Sequence, residues 1–293
     1  MDKNTTSNNI ITRAIDFYEW TLSLSDTRTK GMLFVDSPTP TILLTLGYLL
    51  IVYIGPKIMR NRKPFELKQT LLTYNLAVAL LNLYIASELL VASISLKYNY
   101  ICQPYKQIYS KDELRITHAI WWFYFSKCIE FCDSFFFILR KKDIQLTFLH
   151  VYHHSTMFPL WWIGVKYVPS GSTFLPAMTN SFIHVLMYSY YGLSTFGPNV
   201  TKYLWWKKYL TIIQLIQFTG AMILGINGIT NGCDFPMWMQ YALVIYMISF
   251  IVLFGNFYAI AYLSKGKAEP ISSVSHKTIA KAALKQSIKQ KST

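Results

Sequence analysis

The chain has 293 residues, and its composition argues against a soluble globular domain. Hydrophobic residues make up 53% of it and charged residues only 14%, whereas soluble domains usually carry about 25% charged residues. A formal net charge of +14 would suit nucleic-acid binding, but the lysines and arginines lie mainly in short segments between apolar runs. That distribution is typical of a membrane protein, so we expect membrane lipid and no nucleic acid as its partner.

Seven apolar stretches are long enough, with their flanks, to cross a bilayer as helices. In chain order they are Thr41–Tyr53, Leu71–Ser93, Ile116–Leu139, Thr147–Val165, Phe174–Thr195, Tyr209–Ile229 and Pro236–Leu263. The fourth is interrupted by histidines and should be kinked by Pro159. No pattern indicates strands. The sequence therefore predicts an all-α integral membrane protein with an N-terminal segment 1–38, a seven-helix membrane domain 39–263 and a basic tail 264–293.

The distribution of positive charge predicts how this domain is oriented. Basic residues concentrate after the first, third and fifth stretches and in the tail, whereas the alternate loops carry fewer or offset them with acids. Because positively charged loops stay in the cytosol, we expect a cytosolic C-terminus. An odd number of spans then places the N-terminus in the lumen.

Two further features agree with this orientation. The sequon Asn4-Thr5-Thr6 would lie in the lumen, where glycosylation of Asn4 occurs, although motifs this short also arise by chance. Cys102 and Cys233 fall in two different lumenal loops, where an oxidising compartment permits a disulfide between them.

Charged residues inside the third stretch need a partner or a task, because a charge at the centre of a membrane helix costs about 2.5–3.5 kcal/mol. Lys127, Glu130 and Asp133 recur at helical spacing and share one side of the helix. They could form an internal ion-pair network that orients the helices, or act directly in catalysis. The two roles are compatible, and both stay open.

Histidines and amides indicate a polar cavity between helices. His150, His153 and His154 occur within five residues of the fourth stretch, and the fifth stretch adds Asn180 and His184. Such clusters suit metal ligation or proton and acyl transfer. The chain has six histidines, too few for a di-iron site that uses about eight or more. A single zinc on His150, His154 and His184 stays open, but we expect no metal and no cofactor.

Four segments carry a resemblance to a known family. They are Lys127–Ser134 (KCIEFCDS), Gln145–His154 (QLTFLHVYHH), Asn180–Tyr191 (NSFIHVLMYSYY) and Thr211–Phe218 (TIIQLIQF). In this order and spacing they resemble the very-long-chain fatty acid elongases of the endoplasmic reticulum, most closely the branch for polyunsaturated and very long chains. The resemblance implies a seven-helix bundle in which six helices enclose a tunnel for the acyl chain.

The implied activity is that of a 3-oxoacyl-CoA synthase, which condenses acyl-CoA with malonyl-CoA and lengthens the chain by two carbons. His153 is implied as the nucleophile that forms an acyl-imidazole, with His150 and His154 orienting it. Asn180 and His184 would stabilise the enolate of the malonyl group. Cys128 and Cys132 remain rival nucleophiles. Residues implied in substrate binding are Lys127, Glu130, Asp133, Gln145, Tyr188, Tyr191, Gln214 and Gln217.

The resemblance also implies partners and a location. The ketoacyl-CoA reductase, the dehydratase and the enoyl-CoA reductase of the elongation cycle are expected partners, as are oligomers with itself or with related elongases. Near its end the tail carries Lys289 and Lys291, which resemble a dilysine signal for retrieval to the endoplasmic reticulum. The phosphates of coenzyme A would meet Arg140, Lys141, Lys142, Lys207 and Lys208, unless these residues serve only the topology.

Two other functional classes remain open at this point. One is a metal-dependent lipid oxidase or hydroxylase that uses the histidines as ligands. The other is a seven-helix transporter or receptor that uses the buried charges as a proton relay.

Overall fold

The computed structural model describes residues 3–263, and the side chains of residues 10–263. Every regular element in that part of the chain is helical, which confirms the predicted all-α class. The tail 264–293, with Lys289 and Lys291, lies outside the described residues. The helices are α1 (Lys3–Ser23), α2 (Thr39–Met59), α3 (Lys68–Ser95), α4 (Lys111–Ile129), α5 (Phe131–Leu139), α6 (Phe148–Tyr167), α7 (Phe174–Ser194), α8 (Pro198–Thr201), α9 (Lys207–Asn231) and α10 (Met237–Tyr258), which a π-helical turn extends to Leu263.

Four of these helices have the length and hydropathy of membrane spans. They are α2, α3, α9 and α10 with its π-helical extension. Large apolar side chains such as Leu46, Leu80 and Ile216 are more than half exposed on their outer sides, which suits contact with lipid. The other predicted spans coincide with α4 and α5, α6, and α7, which are helical and carry most of the polar residues of the candidate site.

The third predicted span, Ile116–Leu139, consists of two helices that meet at Glu130. Its N–H is shared between the carbonyls of Ser126 and Cys128, which tightens the last turn of α4. Asp133 N–H then donates to the Glu130 carbonyl and starts α5. The junction therefore falls at the most deeply buried acid of the motif. Nothing in the sequence patterns predicted α1, which fills most of segment 1–38.

One end of the helix bundle is closed by loops that are tied together, and we call it the disulfide end. Cys102 and Cys233 form a disulfide there, with a Cα–Cα distance of 5.7 Å, and join the α3–α4 loop to the α9–α10 loop. The α6–α7 loop packs on them, where Gly171 has φ +67° and lies so close to Tyr105 that a Cβ would stand 3.0 Å from the Tyr105 Cα. Only glycine meets both conditions.

The opposite end, which we call the basic end, is where α2 ends and α3 and α6 begin. The ammonium group of Lys141 donates to the Arg60 carbonyl at 2.9 Å, and Phe65 N–H donates to the Leu139 carbonyl at 3.0 Å. The loops that precede α3 and α6 are therefore neighbours. Several lysines and arginines of the sequence collect at this end.

A buried ion network holds the segment between α1 and α2 to the disulfide end. The Arg28 guanidinium lies 2.6 Å from the Asp26 carboxylate and 3.4 Å from that of Glu113, and it donates to the Ser170 hydroxyl at 2.9 Å. Burial works against its charge, but the hydrogen bond and the charge of Asp26 outweigh this and raise the pKa of Arg28. Arg28 therefore stays a cation that links three loops.

We predict that Arg28→Ala destabilises the protein by about 3–5 kcal/mol, because it leaves the buried Asp26 and Glu113 carboxylates without a cation. Arg28→Lys should lose less stability, since lysine keeps the positive charge but lacks the planar fork of N–H donors. Thermal unfolding of the purified protein in detergent measures the loss. Arg13→Ala, at an exposed position of α1, is the control. Equal unfolding temperatures for Arg28→Ala and Arg13→Ala would contradict the prediction.

Candidate functional site

An elongated cavity of about 210 Å³ lies between α6, α7, α9 and α10, with Phe123 of α4 in its wall. Its walls are mainly apolar and aromatic. His153, Asn180 and Gln217 line the part nearer the basic end, and the cavity extends to Cys233 at the disulfide end. Along α6 it runs from His153 to Gly164, which corresponds to about 16 Å at the rise of an α-helix. The cavity therefore has the form of a slot for an apolar chain, with the histidine and amide groups toward the basic end and a few neutral polar side chains at the disulfide end.

The three clustered histidines lie in the first two turns of α6. The helix begins at Phe148 because the Thr147 hydroxyl accepts a hydrogen bond from the His150 N–H at 3.2 Å. The rings of His150 and His154 have centroids 4.4 Å apart, and those of His153 and His154 are 4.9 Å apart. The spacing read from the sequence thus places the ring of His154 in contact with the rings of both His150 and His153.

Their polar neighbours and their positions relative to the cavity distinguish the three imidazoles. His150 Nε2 lies 2.7 Å from the Ser134 hydroxyl, and His154 Nε2 lies 4.0 Å from a carboxylate oxygen of Asp133. The His153 side chain lines the cavity and has no hydrogen-bond partner among the described residues. His153 is therefore the member of the cluster whose nitrogen lone pair is open to a ligand in the cavity.

A buried ion pair lies beside His153. Lys127 Nζ is 2.8 Å from Glu130 Oε1, and the two side chains are 1% and 0% exposed. The same Glu130 oxygen lies 3.1 Å from Nδ1 of His184, and Lys127 also donates to Asn180 Oδ1 at 3.2 Å. Within the described chain, Glu130 Oε2 has no hydrogen-bond partner. This network joins the α4–α5 junction to α7.

The network leaves two hydrogen-bonding groups free. An ammonium group only donates, so the oxygen of Asn180 must face Lys127 and its NH₂ group is left to face the cavity. His184 is held through Nδ1, and the centroid of its ring lies 6.3 Å from that of His153. Asn180 can therefore present a donor close to His153, whereas the neutral ring of His184, whose Nδ1–H faces Glu130, presents the lone pair of Nε2.

Asp133 forms a separate branch of the site. Its carboxylate accepts a hydrogen bond from the Tyr188 hydroxyl at 2.6 Å, and Tyr188 is fully buried. The ring of Tyr74 on α3 packs edge-on against that of Tyr188, with centroids 6.2 Å apart. Asp133 thus connects α5 to α7, and through Tyr188 to α3.

Several residues predicted for substrate binding lie away from the cavity wall. Gln145 is exposed in the 3₁₀ turn before α6, and Tyr191 is 38% exposed and packs on Tyr188. Gln214 points to the sulfur of Met187 at 3.9 Å, whereas Gln217 lines the cavity and its Oε1 is buried without a partner among the described residues. The basic residues Arg140, Lys141, Lys142, Lys207 and Lys208 lie outside the cavity wall, at the start of or just before α6 and α9.

The structure adds residues that the sequence patterns missed. Tyr48 of α2 reaches Ser134, with its hydroxyl 3.0 Å from the serine hydroxyl. Phe250 of α10 lines the cavity, and the centroid of its ring lies 5.5 Å from that of His153. Both sit in long apolar runs, where a tyrosine or a phenylalanine gives no signal of its own.

In the part of the chain that the structure describes, the side chains form neither a group of metal ligands nor a site for a cysteine nucleophile. No three His, Cys, Asp or Glu side chains there are arranged to hold a metal ion. Cys128 and Cys132 carry free thiols, and neither lines the cavity. Asn4 lies in α1, and the structure describes only its backbone.

We predict that Glu130→Gln destabilises the protein by about 3–5 kcal/mol, because Lys127 loses the acid bonded to it in a buried site. Removing both charges in Lys127→Met/Glu130→Gln should recover part of that loss. Thermal unfolding of the single and double variants forms a double-mutant cycle that isolates the pair. A double variant no more stable than Glu130→Gln would contradict the pairing.

Comparison with known proteins gives a consistent match along most of the chain. The family described as ELO: GNS1/SUR4 matches residues 33–270. Very long chain fatty acid elongase 4 of Homo sapiens is 50% identical over 248 residues, which cover 85% of this chain and 79% of that protein. Very long chain fatty acid elongase 5 of Rattus norvegicus is 47% identical over 250 residues, covering 85% and 83%. Very long chain fatty acid elongase 5 of Tachysurus fulvidraco is 49% identical over 243 residues, covering 83% and 82%.

Proposed function

Since the chain belongs to the GNS1/SUR4 (ELO) family, we propose that it is a 3-oxoacyl-CoA synthase that extends long and very long acyl-CoA chains by two carbons with malonyl-CoA. The observation that carries this proposal is the position of His153. It offers an imidazole without a hydrogen-bond partner among the described residues, in the part of a mainly apolar slot that is nearer the basic end. An acyl chain in the slot would place its thioester beside that nitrogen.

The first half of the reaction is transfer of the acyl group to His153. A ring nitrogen attacks the thioester carbonyl, the C–N bond forms, and the C–S bond breaks to release the coenzyme A thiolate, which takes up a proton. Acylation splits one difficult condensation into two easier steps. The contacts of His150 with Ser134 and of His154 with the rings on either side hold the nucleophile's neighbours in place.

The second half joins the malonyl group. Decarboxylation breaks a C–C bond, releases CO₂ and leaves the electron pair on a thioester enolate. The enolate carbon attacks the acyl carbonyl, the C–N bond breaks, and His153 is regenerated. Asn180 donates to the enolate oxygen through its NH₂ group, because Lys127 holds its oxygen. His184, whose Nδ1–H faces Glu130, adds a second donor at Nε2 in its imidazolium form.

We place the coenzyme A groups at the basic end. Their phosphates are anionic, and the lysines and arginines that flank α5–α6 and α9 supply the opposite charge. By the positive-inside rule this end faces the cytosol, where both substrates would arrive. The disulfide end then faces the lumen, where an oxidising compartment favours the Cys102–Cys233 bond. We propose the membrane of the endoplasmic reticulum as the location, with Asn4 glycosylated and Lys289 and Lys291 as the retrieval signal.

Several finer parts of the proposal rest on the family resemblance. These parts are the number of seven spans and the closure of six of them around an acyl tunnel. A third part is a preference for polyunsaturated chains, which the presence of Gln145 and Tyr152 in the histidine segment Gln145–His154 supports. The partners proposed are the reductase, dehydratase and enoyl-CoA reductase of the elongation cycle, and oligomers with itself or with related elongases.

We predict that membranes carrying the chain convert a polyunsaturated long-chain acyl-CoA and labelled malonyl-CoA into the labelled 3-ketoacyl-CoA with EDTA present. His153→Ala should lower the rate more than about 10³-fold, because it removes the acyl acceptor. His118→Ala is the matched control, since His118 is an exposed histidine outside the cluster. It should keep the full rate.

The other outcomes separate the alternatives. Full activity of His153→Ala would remove the acyl-imidazole route. Activity that EDTA abolishes and zinc or iron restores would favour the metal-dependent class. If the folded chain makes no product from any of a panel of acyl-CoA substrates, the synthase assignment is overturned. The transporter and receptor classes would then remain.

A further inference from the structure

A chain of hydroxyl groups connects α2 to the histidine segment. The Tyr48 hydroxyl on α2 lies 3.0 Å from the Ser134 hydroxyl on α5, which lies 2.7 Å from His150 Nε2 on α6. Tyr48 is 4% exposed and Ser134 is 1% exposed, so water does not reach this chain freely. Tyr48 contacts none of the reacting groups, and Ser134 meets the site only through His150.

The direction of the hydrogen bonds follows from donors and acceptors. Ser134 has one hydrogen, so it donates either to His150 Nε2 or to Tyr48. In the second case the hydrogen of the buried Tyr48 hydroxyl would have no acceptor among the described residues, which is unfavourable for a buried donor. In the first case Tyr48 donates to Ser134 and Ser134 donates to His150. That direction gives both hydroxyl hydrogens an acceptor and leaves the unpartnered N–H on His150 Nδ1, which is not among the fully buried side-chain atoms without a partner.

This direction fixes the state of His150. Its Nε2 accepts from Ser134, so the neutral ring carries its proton on Nδ1. Thr147 holds the backbone of the same residue through the His150 N–H at 3.2 Å. His150 is thus held at its backbone and at one nitrogen of its ring. Its neighbour His154, at 4.4 Å between centroids, packs in turn on His153 at 4.9 Å.

We propose that Tyr48 and Ser134 are positioning residues that fix the tautomer and the orientation of His150, and through its ring contacts set the orientation of His153. This inference rests on the proposed synthase function. It assigns a task to α2, which packs at the outside of the bundle on α5 and α6 and contributes no residue to the cavity wall.

The test uses variants that remove single hydroxyl groups. Tyr48→Phe keeps the ring stacked on Phe131 at 4.3 Å between centroids and removes only the hydrogen bond. We expect kcat to fall by about 10- to 100-fold with KM nearly unchanged, as for other groups that orient a functional histidine. The kcat of Ser134→Ala should fall by the same factor. Ser134→Thr should keep the wild-type rate because threonine also carries a hydroxyl.

Two comparisons separate positioning from a merely structural role. The double variant Tyr48→Phe/Ser134→Ala should be no slower than either single one, because the two hydroxyls act as one unit. Tyr53→Phe, which removes a hydroxyl from an exposed tyrosine of the same helix, is the matched control and should keep the full rate. Thermal unfolding of each variant reports on folding independently.

The outcomes are distinguishable from those of the synthase assay. A wild-type chain that makes no 3-ketoacyl-CoA overturns the proposed function itself. If the wild-type chain is active and its activity depends on His153, but the rate of Tyr48→Phe is within about twofold of the wild-type rate, only the positioning role is overturned. Failure of Ser134→Thr to rescue while Ser134→Ala is slow would also overturn it.

Discussion

The Lys127–Glu130 ion pair is the interaction on which the site depends. Both side chains are buried among apolar helices, where a charge survives only with a partner and further hydrogen bonds. Here the further bonds go to His184 and Asn180 on α7. The pair therefore fixes the amide of Asn180 and the ring of His184 beside His153, and it joins α7 to the junction of α4 and α5. An apolar replacement could stabilise the bundle equally well but would leave these two side chains without a fixed direction.

The two ends of the helix bundle differ in how they are held and in their charge. At the disulfide end, the Cys102–Cys233 bond and the Arg28 network lock the loops together, so the far part of the cavity has a fixed wall. At the basic end, the positive charge suits an anionic carrier that enters and leaves. Between them the cavity wall is mainly apolar, with His153, Asn180 and Gln217 toward the basic end and Asn99, Ser172, Thr173 and Gln240 at the disulfide end. Chemistry and chain binding are therefore separated along one axis.

Much of this could be predicted from the sequence, because helical spacing carries the information. Spacings of three and four placed His150, His153 and His154 together, and Lys127 with Glu130. The all-α class followed from apolar runs, although α1 gave no such signal. The sequence could not predict which side chains on different helices contact one another. That Tyr48 meets Ser134, or that Phe250 meets His153, depends on how distant helices pack, and apolar runs of similar composition do not specify it.

The central claim is that His153 carries the acyl group, and mass spectrometry of the intact chain tests it most directly. The solubilised protein is incubated with a long-chain acyl-CoA without malonyl-CoA, then digested and fragmented. The account predicts one added acyl group on His153, which malonyl-CoA removes as 3-ketoacyl-CoA. His118→Ala should acquire it equally, and His153→Ala should not. An acyl group on Cys128 or Cys132, or turnover without any acylated intermediate, would contradict the account.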